Sequence, residues 1–205
     1  MLRLARNAVP VAFLLVLAAQ SSALAATTHD VSIVNFAFSP STLTVSQGDS
    51  VKWTNTTANT THTTTSDSTN PDATTGLMLW DQTLAAGQTF TFSFTAAGAY
   101  TYHCAIHTFM TASISIAPIA KPSSGAAGTT FKIVVATVGA VAPFVYDIQR
   151  KVGGGAFKDW KIGITNRSVK FVSTKANTFQ FQARVRNTST GGVSLYSPPV
   201  TVTVT

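Results

Sequence analysis

The sequence predicts an all-β protein built as two successive sandwiches. Three observations carry that reading. Beyond the first 26 residues no segment sustains the 3.6-residue apolar period of a helix. Short alternating or β-branched runs recur, each closed by Gly, Pro, Asn or Asp. Charge also divides the chain. From Thr27 to Ala117 five acids face one base, a net of −4, whereas from Pro118 to Thr205 eleven bases face two acids, a net of +9. The overall charge of +7 conceals this split, which points to separate modules with separate partners.

The first residues read as a leader. Arg3 and Arg6 precede an apolar run from Val9 to Ala19, and Ala23-Leu24-Ala25 supplies a cleavage pattern, so residues 1–26 are a signal peptide. The run is short of the roughly 20 residues a membrane helix needs. The expected location is therefore periplasmic, cell-envelope or extracellular, with no transmembrane segment after cleavage and no nucleic-acid partner.

Within residues 27–117 strands are expected at Val31–Phe36, Leu43–Val45, Val51–Thr54, Phe90–Phe94, Tyr100–Cys104 and Ser113–Ile116, and a Thr- and Ser-rich loop from His62 to Thr75. Residues 118–124, with Pro118 and Pro122 among small residues, read as a linker. Residues 125–205 repeat the pattern at Phe131–Thr137, Phe144–Arg150, Val169–Ser173, Phe179–Arg186 and Val200–Val204, with hairpin turns at Gly153-Gly154-Gly155 and Thr190-Gly191-Gly192.

The chemistry concentrates at Tyr102-His103-Cys104-Ala105-Ile106-His107-Thr108-Phe109-Met110, which holds the single cysteine of the chain. Cys104 could be an inert buried thiol, half of an intermolecular disulfide, a nucleophile or a metal ligand. Strand alternation puts Tyr100, Tyr102 and Cys104 on one face and Thr101 and His103 on the other, so His103 points away from the thiol. Past Cys104 the chain must turn, which lets His107 and Met110 curl back. His62, far upstream, is the candidate for a further ligand, whereas His29 sits near the mature N-terminus and is expected to be mobile. Two histidines and a cysteine in a plane with a weak axial methionine make the blue-copper ligand set. A thioether suits a structural zinc site poorly, and no third polar group is apparent to orient a Cys–His hydrolase.

Residues 30–117 resemble a cupredoxin of the plastocyanin, pseudoazurin and amicyanin group. The matching stretches, in order, are Phe36-Ala37-Phe38-Ser39-Pro40, Leu43 to Asn55 with Gln47-Gly48-Asp49 at its centre, His62, Ala86-Gly87-Gln88-Thr89-Phe90, and Gly98 to Cys104 followed by the short Cys-x-x-His-x-x-Met loop. The resemblance implies a Greek-key cupredoxin sandwich with one type 1 copper held by His62, Cys104, His107 and Met110. It further implies a redox partner docking near His107, with an apolar patch expected there from Ile106 and Phe109 plus Leu77 or Met78, against the plainer reading of these residues as core packing. The family usually has Asn directly after the first histidine, where its backbone hydrogen-bonds the cysteine sulfur; here that residue is Thr63.

Residues 125–205 resemble a fibronectin type III or similar immunoglobulin-like sandwich, chiefly through Phe179–Asn187 and Gly192–Val200. Fold alone says nothing of a ligand. Lys158, Lys161, Lys170, Lys175 and Arg167 are candidates for a patch toward an anionic surface or cell-wall polymer, against the plainer reading of a solvated basic surface. Arg184 and Arg186 are expected on an exposed strand face. With no paired carboxylates, nucleophile motif or phosphate loop, no enzyme is expected. The functional expectation is an exported, monomeric one-electron carrier cycling Cu(I) and Cu(II); the alternative is a copper-binding or delivery protein of the cell envelope.

Overall fold

The structure, a computed structural model, describes residues 25–67 and 79–205. Nearly all of the leader read over residues 1–26 lies outside the described residues, as do Leu77, Met78 and most of the expected loop to Thr75. Among the described residues every regular element is a strand, and no helix is long and apolar enough to cross a membrane.

The first sandwich pairs two sheets. One runs β2 (Ala37–Ser39), β1 (Thr28–Val34), β4 (Ser50–Asn55), β7 (Thr89–Ser93). Alternation in β1 and β4 turns Val31, Ile33, Val51 and Trp53 inward, each fully buried. The facing sheet runs β3 (Thr42–Thr44), β9 (Thr111–Ile116), β8 (Gly98–His103), β5 (His62–Ser66), β6 (Asp81–Leu84). It contributes Tyr100, Tyr102, Ile114 and Ile116 to the same core, where Trp53 meets the rings of Trp80, Phe90 and Tyr102.

Two expectations fail here. The run from Val31 to Phe36 does not continue as strand past Val34, because Asn35 and Phe36 both take positive φ, 50° and 56°. They form the two-residue hairpin turn into β2, and paired positive φ matches the right-handed twist of the flanking strands. The polar stretch from His62 does not begin as a loop. His62, Thr63, Thr64, Thr65 and Ser66 form a strand buried along its whole length. Burial is tolerated because the hydroxyls are satisfied: Trp80 donates its indole Nε1 to Thr64 Oγ1 at 3.0 Å and its backbone N–H to Ser66 Oγ at 3.1 Å.

The second sandwich pairs β10 (Ile119–Lys121), β12 (Thr130–Val134) and β15 (Ser168–Val172) with a sheet ordered β11 (Ser124–Gly125), β17 (Val200–Val204), β16 (Asn177–Asn187), β13 (Phe144–Val152), β14 (Lys158–Ile164). Its core centres on Phe131, Ile133, Ile148 and Phe181. The segment read as a linker is instead built in: Ile119–Lys121 pairs with β12, and Ser124–Gly125 pairs with β17. Pro118 and Pro122 flank the short strand rather than interrupt it, so no ladder donor is lost. Arg184 and Arg186 are half-buried rather than exposed. Both donate to Asp147, which is fully buried, at 3.1 and 2.8 Å.

The modules meet at one end of the first sandwich. Gln47 Nε2 donates to the carbonyls of Ala117 and Val134 at 3.1 and 3.0 Å. Ala97 N donates to Val135 O, Thr137 N to Thr95 O, and Ala99 and Leu195 exchange a pair of backbone bonds. These contacts gather at the Gly98 end of β8. Cys104 follows the other end, about 20 Å away at the rise of an extended strand.

Candidate metal centre

Strand β8 delivers Cys104 to the core side by alternation, and the next residues turn back. Cys104 N donates to Met110 O at 3.0 Å and Met110 N to His107 O at 2.9 Å, so the seven-residue loop is cinched at its base. Cys104 and Met110 are both buried and share one apolar cluster. His62, at the start of β5, is fully buried.

Three ligand atoms converge. Cys104 Sγ lies 3.8 Å from His62 Nδ1 and 3.6 Å from His107 Nδ1, and the two Nδ1 atoms are 3.1 Å apart. A point equidistant from all three lies about 2.0 Å from each, as these sides require, close to the ~2.0–2.3 Å bonds that histidine nitrogen and cysteine sulfur make to a metal. Two imidazole nitrogens at 3.1 Å share at most one proton, and burial, followed by the nearness of His107, holds His62 below the ordinary imidazole value. A cation satisfies all three lone pairs where protons do not. His62, Cys104 and His107 are the group of metal-capable side chains found among the described residues.

The surrounding contacts orient this set. Thr63 N donates to Cys104 Sγ at 3.2 Å, the contact the resemblance implied, and Ala105 N donates to Thr63 Oγ1 at 2.6 Å. Thr65 Oγ1 donates to Asp81 Oδ1 at 2.7 Å, and the two threonine oxygens are 2.8 Å apart. A carboxylate only accepts, so the proton order runs from Ala105 through Thr63 and Thr65 to Asp81.

His103 is not in the set. Its Nδ1 pairs with Asp67 Oδ1 at 2.7 Å on the opposite face of β8, as alternation predicts. His29 is not a loose terminal residue but a member of β1, with Nε2 2.9 Å from Asp49 Oδ2.

Sequence reasoning missed Phe36. Its ring stands edge-on to both histidines, with centroids 5.4 Å from His62 and 4.9 Å from His107. Only the turn-forming Asn35 beside it hinted at a hairpin tip, and nothing local said which loop the tip would reach. Asp81 and Thr65 were likewise invisible as site residues, because both act at one remove from the ligands. Around half-buried His107 the surface is apolar, with Ile106 53%, Phe109 73% and Phe36 44% exposed.

Residues 25–117 match the family of copper binding proteins, plastocyanin/azurin family. Among solved structures the chain is similar to the reduced state of an amicyanin mutant, at 26% identity over 42% of this chain and 79% of that one, TM-score 0.38. A second reduced amicyanin mutant and a mutant amicyanin in its Cu(I) form each match at 25% identity over 43% of this chain and 81% of theirs, TM-score 0.39. No curated protein matches the chain. With that family match and the geometry above, His62, Cys104, His107 and Met110 form the arrangement typical of a type 1 copper site, in a cupredoxin-like sandwich.

Proposed function

We propose that the protein is an exported type 1 copper protein that carries single electrons between redox partners. The observation that carries this reading is the triangle of Cys104 Sγ and two Nδ1 atoms, with sides of 3.1 to 3.8 Å, closed by a loop bearing a buried methionine. When bound, copper supplies a one-electron couple, since thiolate and thioether favour Cu(I) and imidazole accepts Cu(II).

The chain's own residues suit such a couple. Strand β5 holds His62, and the cinched loop that follows β8 holds Cys104, His107 and Met110, so the ligand set has little room to rearrange. The Thr63 N–H lowers electron density on the sulfur by hydrogen bonding. His107 is the imidazole that reaches the surface, amid Phe36, Ile106 and Phe109, so a partner docking there meets the ligand set at its edge. We place no catalytic role on the site, because four protein ligands leave no open position for substrate.

The second, fibronectin type III-like sandwich serves in this reading as a fixed spacer. Its hydrogen bonds to the first sandwich lie at the far end of β8 from His107. The test is to add Cu(II) to the purified full chain and record its visible spectrum and voltammetry. An intense thiolate-to-copper band with a reversible one-electron wave is expected. Stoichiometric copper binding without that band would overturn the type 1 reading, and a band without reversible electron exchange would overturn the carrier role.

A further inference from the structure

A different surface carries an inference independent of copper. On the outer face of the three-stranded sheet, Lys121 of β10 stands opposite Lys132 of β12, and Lys132 stands opposite Lys170 of β15. The three exposed lysines therefore make one straight row across three strands, about 10 Å long at the usual strand spacing. Lys158 and Lys161, grouped with Lys170 on sequence grounds, lie in β14 of the other sheet.

Such a row opposes stability. Like charges set directly opposite one another weaken a strand pair. Lysine guards exposed edges in many sheets, but Lys132 lies on the central strand, where no edge needs guarding. No carboxylate of the module relieves the row. Asp147 is fully buried against Arg184 and Arg186, and Asp159 accepts from Gln149 Nε2 on the five-stranded sheet. Three ammonium groups in register, unpaired among the described residues, present a line of positive charge to solvent.

The rest of the face narrows the partner. Residues sharing it by alternation are aliphatic or hydroxylic, with Ile119, Val134 and Val172 among them. Among these strand residues there is no guanidinium fork to grip a carboxylate, no ring for a sugar or a base to stack on, and no side-chain amide; Arg167, just before β15, donates Nη1 to the Thr137 carbonyl at 3.1 Å. What remains is recognition of point charges in a line. Lysine does this well for phosphate. A lipid surface spreads its charge in two dimensions, whereas this row is one-dimensional.

We propose that the Lys121–Lys132–Lys170 row binds one strand of a linear phosphodiester polyanion of the polyol-phosphate type, laid across the strands. The experiment titrates the full chain with a synthetic glycerol-phosphate oligomer at several salt concentrations. Each neutralised phosphate contributes about 0.7 to the slope of log affinity against log salt, by analogy with single-stranded nucleic acid. The triple variant Lys121→Gln, Lys132→Gln, Lys170→Gln should lose about two units of that slope and about tenfold or more in affinity at low salt. A control removing the same charge elsewhere, Lys151→Gln, Lys158→Gln, Lys161→Gln, should lose far less. Without oligomer the row variant should melt higher than the wild type, because repulsion has been removed, which separates lost binding from lost folding. Equal losses in row and control variants would overturn the proposal. So would absence of binding by the wild type, or tighter row-dependent binding to phosphatidylglycerol vesicles or to a single-stranded oligonucleotide of equal charge.

Discussion

Thr63 holds Cys104 and its loop by two atoms: the backbone N–H donates to the Cys104 sulfur at 3.2 Å, and the hydroxyl receives the N–H of Ala105, one residue beyond, at 2.6 Å. One residue on a buried strand thereby fixes both the ligand atom and the first turn of the ligand loop. The hydroxyl's own proton runs on through Thr65 to Asp81, so a carboxylate at the edge strand orients the oxygen that receives the Ala105 N–H.

Thr63→Val keeps the size and the backbone donor but strips the acceptor from Ala105. An N–H left without a partner costs about 1–3 kcal/mol. Denaturant unfolding of the metal-free protein should register that loss, and Thr63→Ser should recover most of it. An unchanged unfolding midpoint in the valine variant would show that the contact carries no weight.

Cys104→Ala should separate metal from fold. Copper at a hundred times its dissociation constant stabilises a protein that binds it only when folded by about 2.7 kcal/mol. The wild type should therefore melt higher with copper than without, and the variant should show no such gap. Calorimetric scans with and without Cu(II) decide it. A retained gap would place the metal elsewhere.

Phe36→Gly removes the ring that edges both histidines while relieving a positive φ of 56° that phenylalanine adopts only under constraint. The lost ring contacts, roughly 0.5–1.5 kcal/mol each, are offset by about 1–3 kcal/mol of backbone strain. Thermal stability should change little, while copper passes faster to a chelator because the histidine edges are open. Unchanged transfer kinetics would remove Phe36 from the site.

Acid should unfold the protein partly through Asp147 and Asp49. Burial opposes ionisation of Asp147, but hydrogen bonds from Arg186, the Gly163 N–H and Arg184 outweigh it and hold the carboxyl below its ordinary value. At Asp49 burial is again outweighed, by Thr27 N–H, His29 and Ser46 N–H. A carboxyl depressed in the folded state contributes stability that is fully present above its unfolded value of about 3.9 and is lost as pH falls through the folded value. Stability against urea should fall away below about pH 4. Asp147→Asn should flatten part of that fall, and should cost on the order of 3 kcal/mol at neutral pH by breaking a buried pair.

Gly98→Ala tests the junction between the modules. A Cβ there would lie 2.7 Å from Ser194 Oγ and 3.0 Å from the Tyr100 ring. Overpacking of this kind costs about 1–3 kcal/mol. Because Gly98 opens β8 and Cys104 follows its other end, solution scattering should show altered module placement, or calorimetry an earlier melt, while the copper band stays the same. A shifted band would mean that the junction and the ligands are coupled.

What the amino-acid order determined by itself was local. The spacing of Cys104, His107 and Met110 puts three ligands on one turn, and alternation along Tyr100 to Cys104 turns the thiol inward and His103 outward, because side chains on a strand alternate whatever the rest of the chain does. The paired strands also drew their apolar faces plainly enough to mark two β modules. The tertiary structure decided the remainder. His62 to Ser66 carries no apolar signature, since its burial rests on hydroxyl partners from Trp80, Asp81 and the ligand loop. Phe36 reaches two histidines only because a hairpin tip folds over a loop some seventy residues on. Lys121, Lys132 and Lys170 align only through the register of strands distant in sequence. Pairing across a sheet is non-local, and a one-residue slip would turn every such side chain to the other face.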